Sequence, residues 1–244
     1  MITAGGRFAA ELAQLAGTSV KALLSLQGRS LLTRVLDAVR GAVGDQPVVV
    51  VGPEAVAHIA QAAGAQWVAE GPDGIANLRR GLEALATPQV LCCASDLPFL
   101  QAATLASFLV ACAQQPGAAI YYPVVWAADF HQAFPGSPAL FVPLADGLVT
   151  GGSVLLVERR TVLAAEPLAR QVFNARKSQL GMAWLLGLGF VLKFLLRRLW
   201  VREVEARASQ ILGVPCAALL GSDPALAYDI DRREDLEDLW RRVP

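Results

Sequence analysis

Two glycines and an arginine follow a very short apolar strand at the start of the sequence, in Met1-Ile2-Thr3-Ala4-Gly5-Gly6-Arg7. A lone lysine then heads another apolar run, in Val20-Lys21-Ala22-Leu23-Leu24. Adjacent glycines carry no Cβ, so an anion can approach their backbone N–H groups closely. Such a loop ahead of a helix-like stretch is a phosphate cradle, with helix-end N–H groups and the helix dipole adding to the field. Ala4, Gly5 and Gly6 would form it, and Arg7 and Lys21 would bring mobile positive charge. The competing reading is a simple turn.

The acidic residues supply the opposite charge. Asp96 follows the apolar strand at 90–94, in Ser95-Asp96-Leu97-Pro98. Ligands of parallel α/β sheets bind outside the carboxyl ends of the strands, where a carboxylate can hold a hard cation such as Mg²⁺. Alternatively, Asp96 caps a helical turn starting near Leu97. Near the C-terminus, Asp229 and Asp231 would share one face of an extended Asp-Ile-Asp segment. There they would meet Asp96 and complete a metal site, with Asp231 the first choice of second ligand and Asp229 the reserve. The other reading makes Asp231 the cap of the closing helix, with Glu234 three residues on in an acidic capping box.

These residues need a scaffold, and the alternation of elements points to one. Helical patterns at 30–43, 54–63, 74–86 and 104–114 alternate with apolar strands at 47–51, 66–68 and 90–94. That alternation predicts an α/β fold with a doubly wound parallel sheet. The middle differs: 118–125 and 139–144 read as strands joined by a loop without a helix. Thr150-Gly151-Gly152-Ser153 then leads into a strand at 154–157. The segment 118–158 is expected to lie over the sheet as an insertion that selects an acceptor, with Gly151, Gly152 and Ser153 contacting it. One domain over residues 1–244 is expected.

Composition narrows the function classes. The chain has 244 residues, 55% hydrophobic and 17% charged, which excludes disorder and suits strands covered on both faces. The formal net charge is zero and the isoelectric point is near 6.7. A broad nucleic-acid surface normally shows a basic excess, so nucleic acid is not an expected partner. Cys92, Cys93, Cys112 and Cys216 form no C-x-x-C pair and no metal-like spacing with His58 or His131. Buried free thiols in a reducing compartment are expected. Nothing reads as an export signal, so the cytoplasm is the expected location.

In this order, the pieces resemble the nucleotidyltransferase family that includes molybdenum-cofactor guanylyltransferase and sugar-phosphate or polyol-phosphate nucleotidyltransferases. The matching residues are Ala4-Gly5-Gly6-Arg7, Lys21, Gly28-Arg29-Ser30-Leu31-Leu32, Gly74 with Asn77 and Gly81, Asp96-Leu97-Pro98, and Asp229-Ile230-Asp231 with Glu234-Asp235-Leu236. They span almost the whole chain. The resemblance implies a three-layer α/β/α, Rossmann-like fold with a mostly parallel central sheet. It implies an NTP bound across the first loop, with Gly74 and Asn77 near the base and ribose. It also implies Mg²⁺ on Asp96 and a residue near the C-terminus. The expected reaction is metal-assisted transfer of a nucleotidyl group to a small phosphorylated acceptor, with pyrophosphate released. Arg176 and Lys177 are candidates for the acceptor's phosphate. A nucleotide-binding domain without turnover and a nucleotide-sugar glycosyltransferase are the alternatives.

The sequence departs from the family in three places. An apolar, helix-like stretch at 8–18 replaces the usual Gly, Ser and Arg residues of the first loop. The first strand is cut short at Met1, which leaves an upstream start open. Residues 182–200 form a long apolar stretch in place of extra β-structure. Lys193 near its middle, with Arg197 and Arg198, makes spanning a membrane costly, at about 2.5–3.5 kcal/mol for each central charge. The expectation is a helix packed in the core or in a homodimer interface, with Gly187 and Gly189 allowing close approach. Docking at a membrane interface is the less favoured alternative.

Overall fold

The computed structural model describes residues 1–175, 181 and 185–243. Arg176, Lys177 and part of the apolar stretch, 182–184, lie outside them.

Apolar residues alternate across the central strands with period two, so each strand feeds two cores. β1 (Ile2–Thr3) lies between β4 (Val49–Gly52) and β6 (Gln89–Ala94), parallel to both. β5 (Gln66–Ala69) pairs parallel with β4. Ile2, Val50, Leu91 and Cys93 pack with α2 (Leu31–Val43), α3 (Ala57–Ala62) and α5 (Ala102–Gln114). Met1, Val49, Val51, Val90 and Cys92 pack with α4 (Gly74–Glu83) and α7 (Arg159–Ala164). The result is the expected three-layer α/β/α arrangement.

Local chemistry sets the helix starts. Ser30 caps α2 by accepting from the Thr33 N–H at 3.1 Å. Asp73 caps α4 by accepting from the Ala76 N–H at 2.8 Å. The same carboxylate ties α8 (Glu166–Ala175) to the start of α4, with Arg170 Nη1 donating to its Oδ2 at 3.0 Å. A small hairpin, β2 (Ser25–Leu26) with β3 (Arg29–Ser30), precedes α2.

The sheet has nine strands. β10 (Val154–Glu158) lies antiparallel between β6 and β7 (Ile120–Trp126). β9 (Leu148–Gly151) pairs antiparallel with the far end of β7 and with β8 (Val142–Pro143). β11 (Cys216–Leu220) runs parallel along the other edge of β7. Only β9 and β10 run against the rest, so the sheet is mostly parallel.

This corrects the sequence reading of residues 118–158. The segment supplies strands to the sheet itself instead of lying over it. A helix also intervenes where a bare loop was expected. α6 (Ala127–Ala133) forms because Ala127, Phe130 and Phe134 fall on one helical face and bury against Tyr228. The strand expected at 139–144 shrinks to β8.

The apolar stretch also departs from expectation. Gly187 breaks it at a φ of +91°, a conformation that favours glycine. The helix α9 (Leu188–Leu195) that follows buries none of its residues. Core burial is therefore corrected for this helix. Gly189 has open space beside it, not a closely packed neighbour. Among the described residues no helix is long and apolar enough to cross a membrane. The four cysteines are free; Cys92, Cys93 and Cys112 are buried and Cys216 is half-buried. Burial pushes the Cys93 thiol up to about 12.

Gly152 joins β9 to β10 where the pairing register shifts. A Cβ there would lie 2.7 Å from the Leu226 carbonyl oxygen and 2.8 Å from Cγ of Pro123. Backbone cannot yield as a flexible side chain does. Gly152→Ala should therefore cost about 1–3 kcal/mol of stability, as overpacking typically does, measured by urea denaturation.

Candidate functional site

Three segments distant in sequence meet at one ammonium group. Lys21 begins a single 3₁₀ turn, Lys21–Leu23. Its backbone N–H donates to the Gly6 carbonyl at 3.1 Å, and the Phe8 N–H donates to the Ser19 carbonyl at 2.9 Å. The helix-like stretch, observed as α1 (Ala10–Ala16), is thus a closed excursion that returns the chain to its glycine loop. Lys21 Nζ donates to Asp96 Oδ2 at 2.9 Å and also to Asp231 Oδ1.

Packing explains this convergence. Phe8, Leu12, Leu24, Leu26 and Leu31 share one apolar cluster with Ile230, Leu236 and Leu239. Burial of that cluster brings the closing helix, α11 (Arg233–Arg242), against the first loop. β6 independently carries Ser95 and Asp96 to the same end of the sheet, where the Ser95 N–H donates to the Thr3 carbonyl at 3.2 Å.

The capping alternatives for both aspartates are set aside by these contacts. A turn does follow Asp96, with the Leu100 N–H donating to the Leu97 carbonyl at 3.4 Å, but the Asp96 carboxylate is engaged by Lys21, and α5 starts later, with Gln101 at its N-cap. Arg232 is the N-cap of α11. Asp235, not Glu234, reaches back to accept from the Arg232 N–H at 2.8 Å and the Asp231 N–H at 3.2 Å. The Asp231 carboxylate is left facing Lys21.

The site carries more negative than positive charge. Burial alone would lower the Lys21 pKa, but the Asp96 charge and the hydrogen bonds to Asp231 and Asp96 outweigh it, so the pKa lies above the ordinary value. Asp229 stands close by, accepting from the Ser153 hydroxyl at 2.7 Å. Burial, reinforced by the charges of Asp96 and Asp231, pushes Asp229 up to about 6 against the opposing Ser153 hydrogen bond.

Two clefts flank this cluster. The first, about 520 Å³, is lined by Gly5, Gly6, Arg7, Glu70, Asn77 and Asp96, with Gly74 at its edge. Arg7 is fixed above the loop by Glu70 and by its own Nη1 donating to the Gly5 carbonyl at 2.8 Å. Asn77 is buried and its Oδ1 accepts from the Gly71 N–H at 2.6 Å. Ala4 is fully buried beneath the loop and does not line the cleft. The second cleft, about 200 Å³, is lined by Thr150, Gly151, Asp229, Asp231, Arg232 and Ser137, among others. Gly152 and Ser153 stay out of its lining: Gly152 meets backbone, and Ser153 acts on the site through Asp229.

Glu70 and Arg232 were not singled out in the sequence. Glu70 directly follows β5, so the strand-end rule that finds Asp96 also finds it. Arg232 sits inside the Asp-Ile-Asp-Arg segment, but its exposure to a cleft depends on the distant loop at 137–140. Its Nη2 donates to the Pro138 carbonyl at 2.6 Å.

Comparison with known proteins shows the family of the chain. The profile of the MobA-like NTP transferase domain matches residues 2–180. The chain belongs to this family. It is a nucleotidyltransferase by domain type. A hypothetical transferase from Thermus thermophilus is 36% identical, with a TM-score of 0.84, covering 96% of this chain and 97% of the other. Two further solved structures share the fold. One is the 2-C-methyl-D-erythritol 4-phosphate cytidylyltransferase of Thermus thermophilus, 23% identical at TM-score 0.55, covering 91% of this chain and 94% of its own. The other is a CMP:2-keto-3-deoxy-manno-octonic acid synthetase in complex with CTP, 13% identical at TM-score 0.61, covering 99% and 95%. No curated protein matches the chain.

In this NTP transferase domain the first loop is sterically tight. A Cβ on Gly5 would lie 2.7 Å from Glu70 Oε2 and 3.0 Å from Asn77 Nδ2. Gly5→Ala should displace the carboxylate that fixes Arg7 and weaken NTP affinity about tenfold, equivalent to about 1.4 kcal/mol, in calorimetric titration with the four common NTPs. The melting temperature should stay within a few degrees of wild type, because the closest contact is the end of the part-exposed Glu70 side chain, which can swing toward the cleft.

Proposed function

We propose that the chain transfers a nucleotidyl group from an NTP to a small phosphorylated acceptor and releases pyrophosphate. The observation that carries this reading is the shared ammonium between the clefts. Asp96 lines the larger cleft, Asp231 lines the smaller one, and both bind Lys21. The larger cleft has the glycine loop and room for a nucleotide. The smaller suits a compact acceptor, with Arg232 as a cation for its phosphate.

In this reading the NTP lies over Gly5 and Gly6, whose backbone N–H groups and the Arg7 and Lys21 cations receive its phosphates. The acceptor's phosphate oxygen attacks the α-phosphorus in line and forms the new P–O bond. The bond from the α-phosphorus to the bridging oxygen breaks, and pyrophosphate leaves with that electron pair. Lys21 and Arg7 neutralise charge on the departing group, and Gly74 and Asn77 fix the nucleoside end. Positioning and preorganised charge supply most of the acceleration.

The donor set fits Mg²⁺. Three carboxylates face one ammonium, which leaves surplus negative charge from hard oxygen donors. Among the described residues no group of three His, Cys, Asp or Glu side chains is placed to hold a metal ion by itself. Mg²⁺ does not require one, because it commonly takes one or two carboxylates, substrate phosphates and water. Asp96 and Asp231 would hold it, with Asp229 in reserve, and it would supply Lewis-acid charge stabilisation.

The test is a product assay on the four NTPs against a panel of sugar phosphates and polyol phosphates. Mg²⁺-dependent pyrophosphate is expected in equal amount to the nucleotidylated product. Asp96→Asn should lower that rate about 100-fold or more while the protein stays folded. Release of nucleoside diphosphate from a nucleotide sugar would instead favour glycosyl transfer. NTP binding without pyrophosphate across the panel would favour a binding domain.

A further inference from the structure

The described part of the apolar stretch presents an unusual surface. Leu188, Leu192, Leu195 and Leu196 are 85%, 57%, 70% and 57% exposed. Their spacing places them on one face of α9 and its C-terminal turn. Lys193 points elsewhere, paired with Glu203 of α10 (Val201–Leu212). Leu199 is 2% exposed and anchors the end of the helix. The Ala145 N–H donates to its carbonyl at 2.8 Å, and the Val201 N–H donates to Asp146 Oδ2 at 2.7 Å. The leucine face is therefore held outward by fixed contacts. Strands β8 and β9, which flank the turn carrying Ala145 and Asp146, also expose Val142 and Leu148.

Positive charge collects at one end of this face. Arg197, Arg198 and Arg202 are exposed and form no ion pair among the described residues. Arg202 lies 5.3 Å from the ring of Trp200, itself 42% exposed. Arg197 has a φ of +54°, at a helix end where glycine is the relaxed choice. The Arg198 N–H donates to the Lys193 carbonyl at 2.8 Å, completing that end. The strained position thus holds a cation beside the leucines.

We propose that this face docks on an anionic lipid surface, with the four leucines entering the acyl boundary and Arg197, Arg198 and Arg202 meeting headgroup phosphates. Apolar side chains, flanking arginines and an interfacial tryptophan are what such docking requires. With a second copy of the chain, a two-fold contact with the helices parallel would set the arginine cluster against itself, and an antiparallel one would lay it beside the apolar Leu188 end, so neither offers the arginines an opposite charge. An anionic surface meets it with opposite charge. The inference is independent of the transfer reaction, and its readout is binding, not turnover.

The experiment is co-sedimentation of the full chain with vesicles of phosphatidylcholine and phosphatidylglycerol at 70:30, and with pure phosphatidylcholine. Binding to the mixed vesicles is expected, with binding to the neutral ones at least tenfold weaker. Leu192→Asp with Leu195→Asp should abolish it. Arg197→Gln with Arg198→Gln should weaken it about thirtyfold, roughly fivefold for each arginine. All the changed positions are exposed, and melting curves would confirm that both variants fold. The arginine pair also provides a test that leaves the leucines unchanged. Absence of binding to the mixed vesicles, equal binding to both compositions, or unchanged binding by either variant would overturn the proposal. So would a wild-type dimer in analytical ultracentrifugation that the leucine variant converts to monomer.

Discussion

A lysine buried between carboxylates is the constraint on which the rest of this site depends. Lys21 cannot lie in an apolar surround as a lone cation, because desolvating an unpaired ammonium costs far more than packing returns. It must be met by negative charge, and that charge comes from two remote segments. Asp96 is brought by the central strand β6, and its side chain is 13% exposed. Asp231 is brought by the segment ahead of α11, and its side chain is 66% exposed. The two contacts therefore differ in worth. The Asp96 contact is largely withdrawn from solvent, while the Asp231 contact is screened.

The same lysine separates and joins the two clefts. A Cβ on Gly6 would lie 3.2 Å from Lys21 Cδ, a tight contact that would press on the lysine stem. The glycine loop thus leaves room for the passage of the lysine stem, beside the proposed nucleotide cleft. Its close return to the chain, through α1, stands where the resemblance led us to expect further Gly, Ser and Arg residues. The cradle consequently has few mobile cations, and Glu70 fixes one of them, Arg7, in place. On the other side, Ser153 ties Asp229 to the start of β10. The antiparallel strands that carry Ser153 and Gly151 are integral to the sheet, so the smaller cleft stands on a rigid base.

Much of this was legible in the sequence because the informative residues follow local rules. Asp96 stands at the end of a fully apolar strand. The glycines stand between a strand and a helix, and the closing helix announces itself by its amphipathic pattern. These features give a parallel α/β sheet and the meeting of Asp96 with Asp231, whereas the pairing of Lys21 with both carboxylates, in place of a purely phosphate-facing role, was not read from the sequence. What was not legible depends on contacts across the chain. The role of Gly152 rests on the carbonyl of Leu226, and α6 rests on an aromatic cluster completed by Tyr228. The outward face of α9 rests on hydrogen bonds from the turn at 144–147. Periodicity identifies an apolar face but not whether anything covers it, which is why residues 188–196 read as packed.

Lys21 and Asp96 form a cooperative unit, not two groups that happen to be near. A double-mutant cycle with Lys21→Met and Asp96→Asn, followed by urea denaturation, tests it most directly. Each single change should be more damaging in the presence of its intact partner, so the double variant should lose about 1–3 kcal/mol less than the sum of the singles. Additivity within about 0.5 kcal/mol would contradict it, because the two groups would then contribute independently and Lys21 would not organise the site.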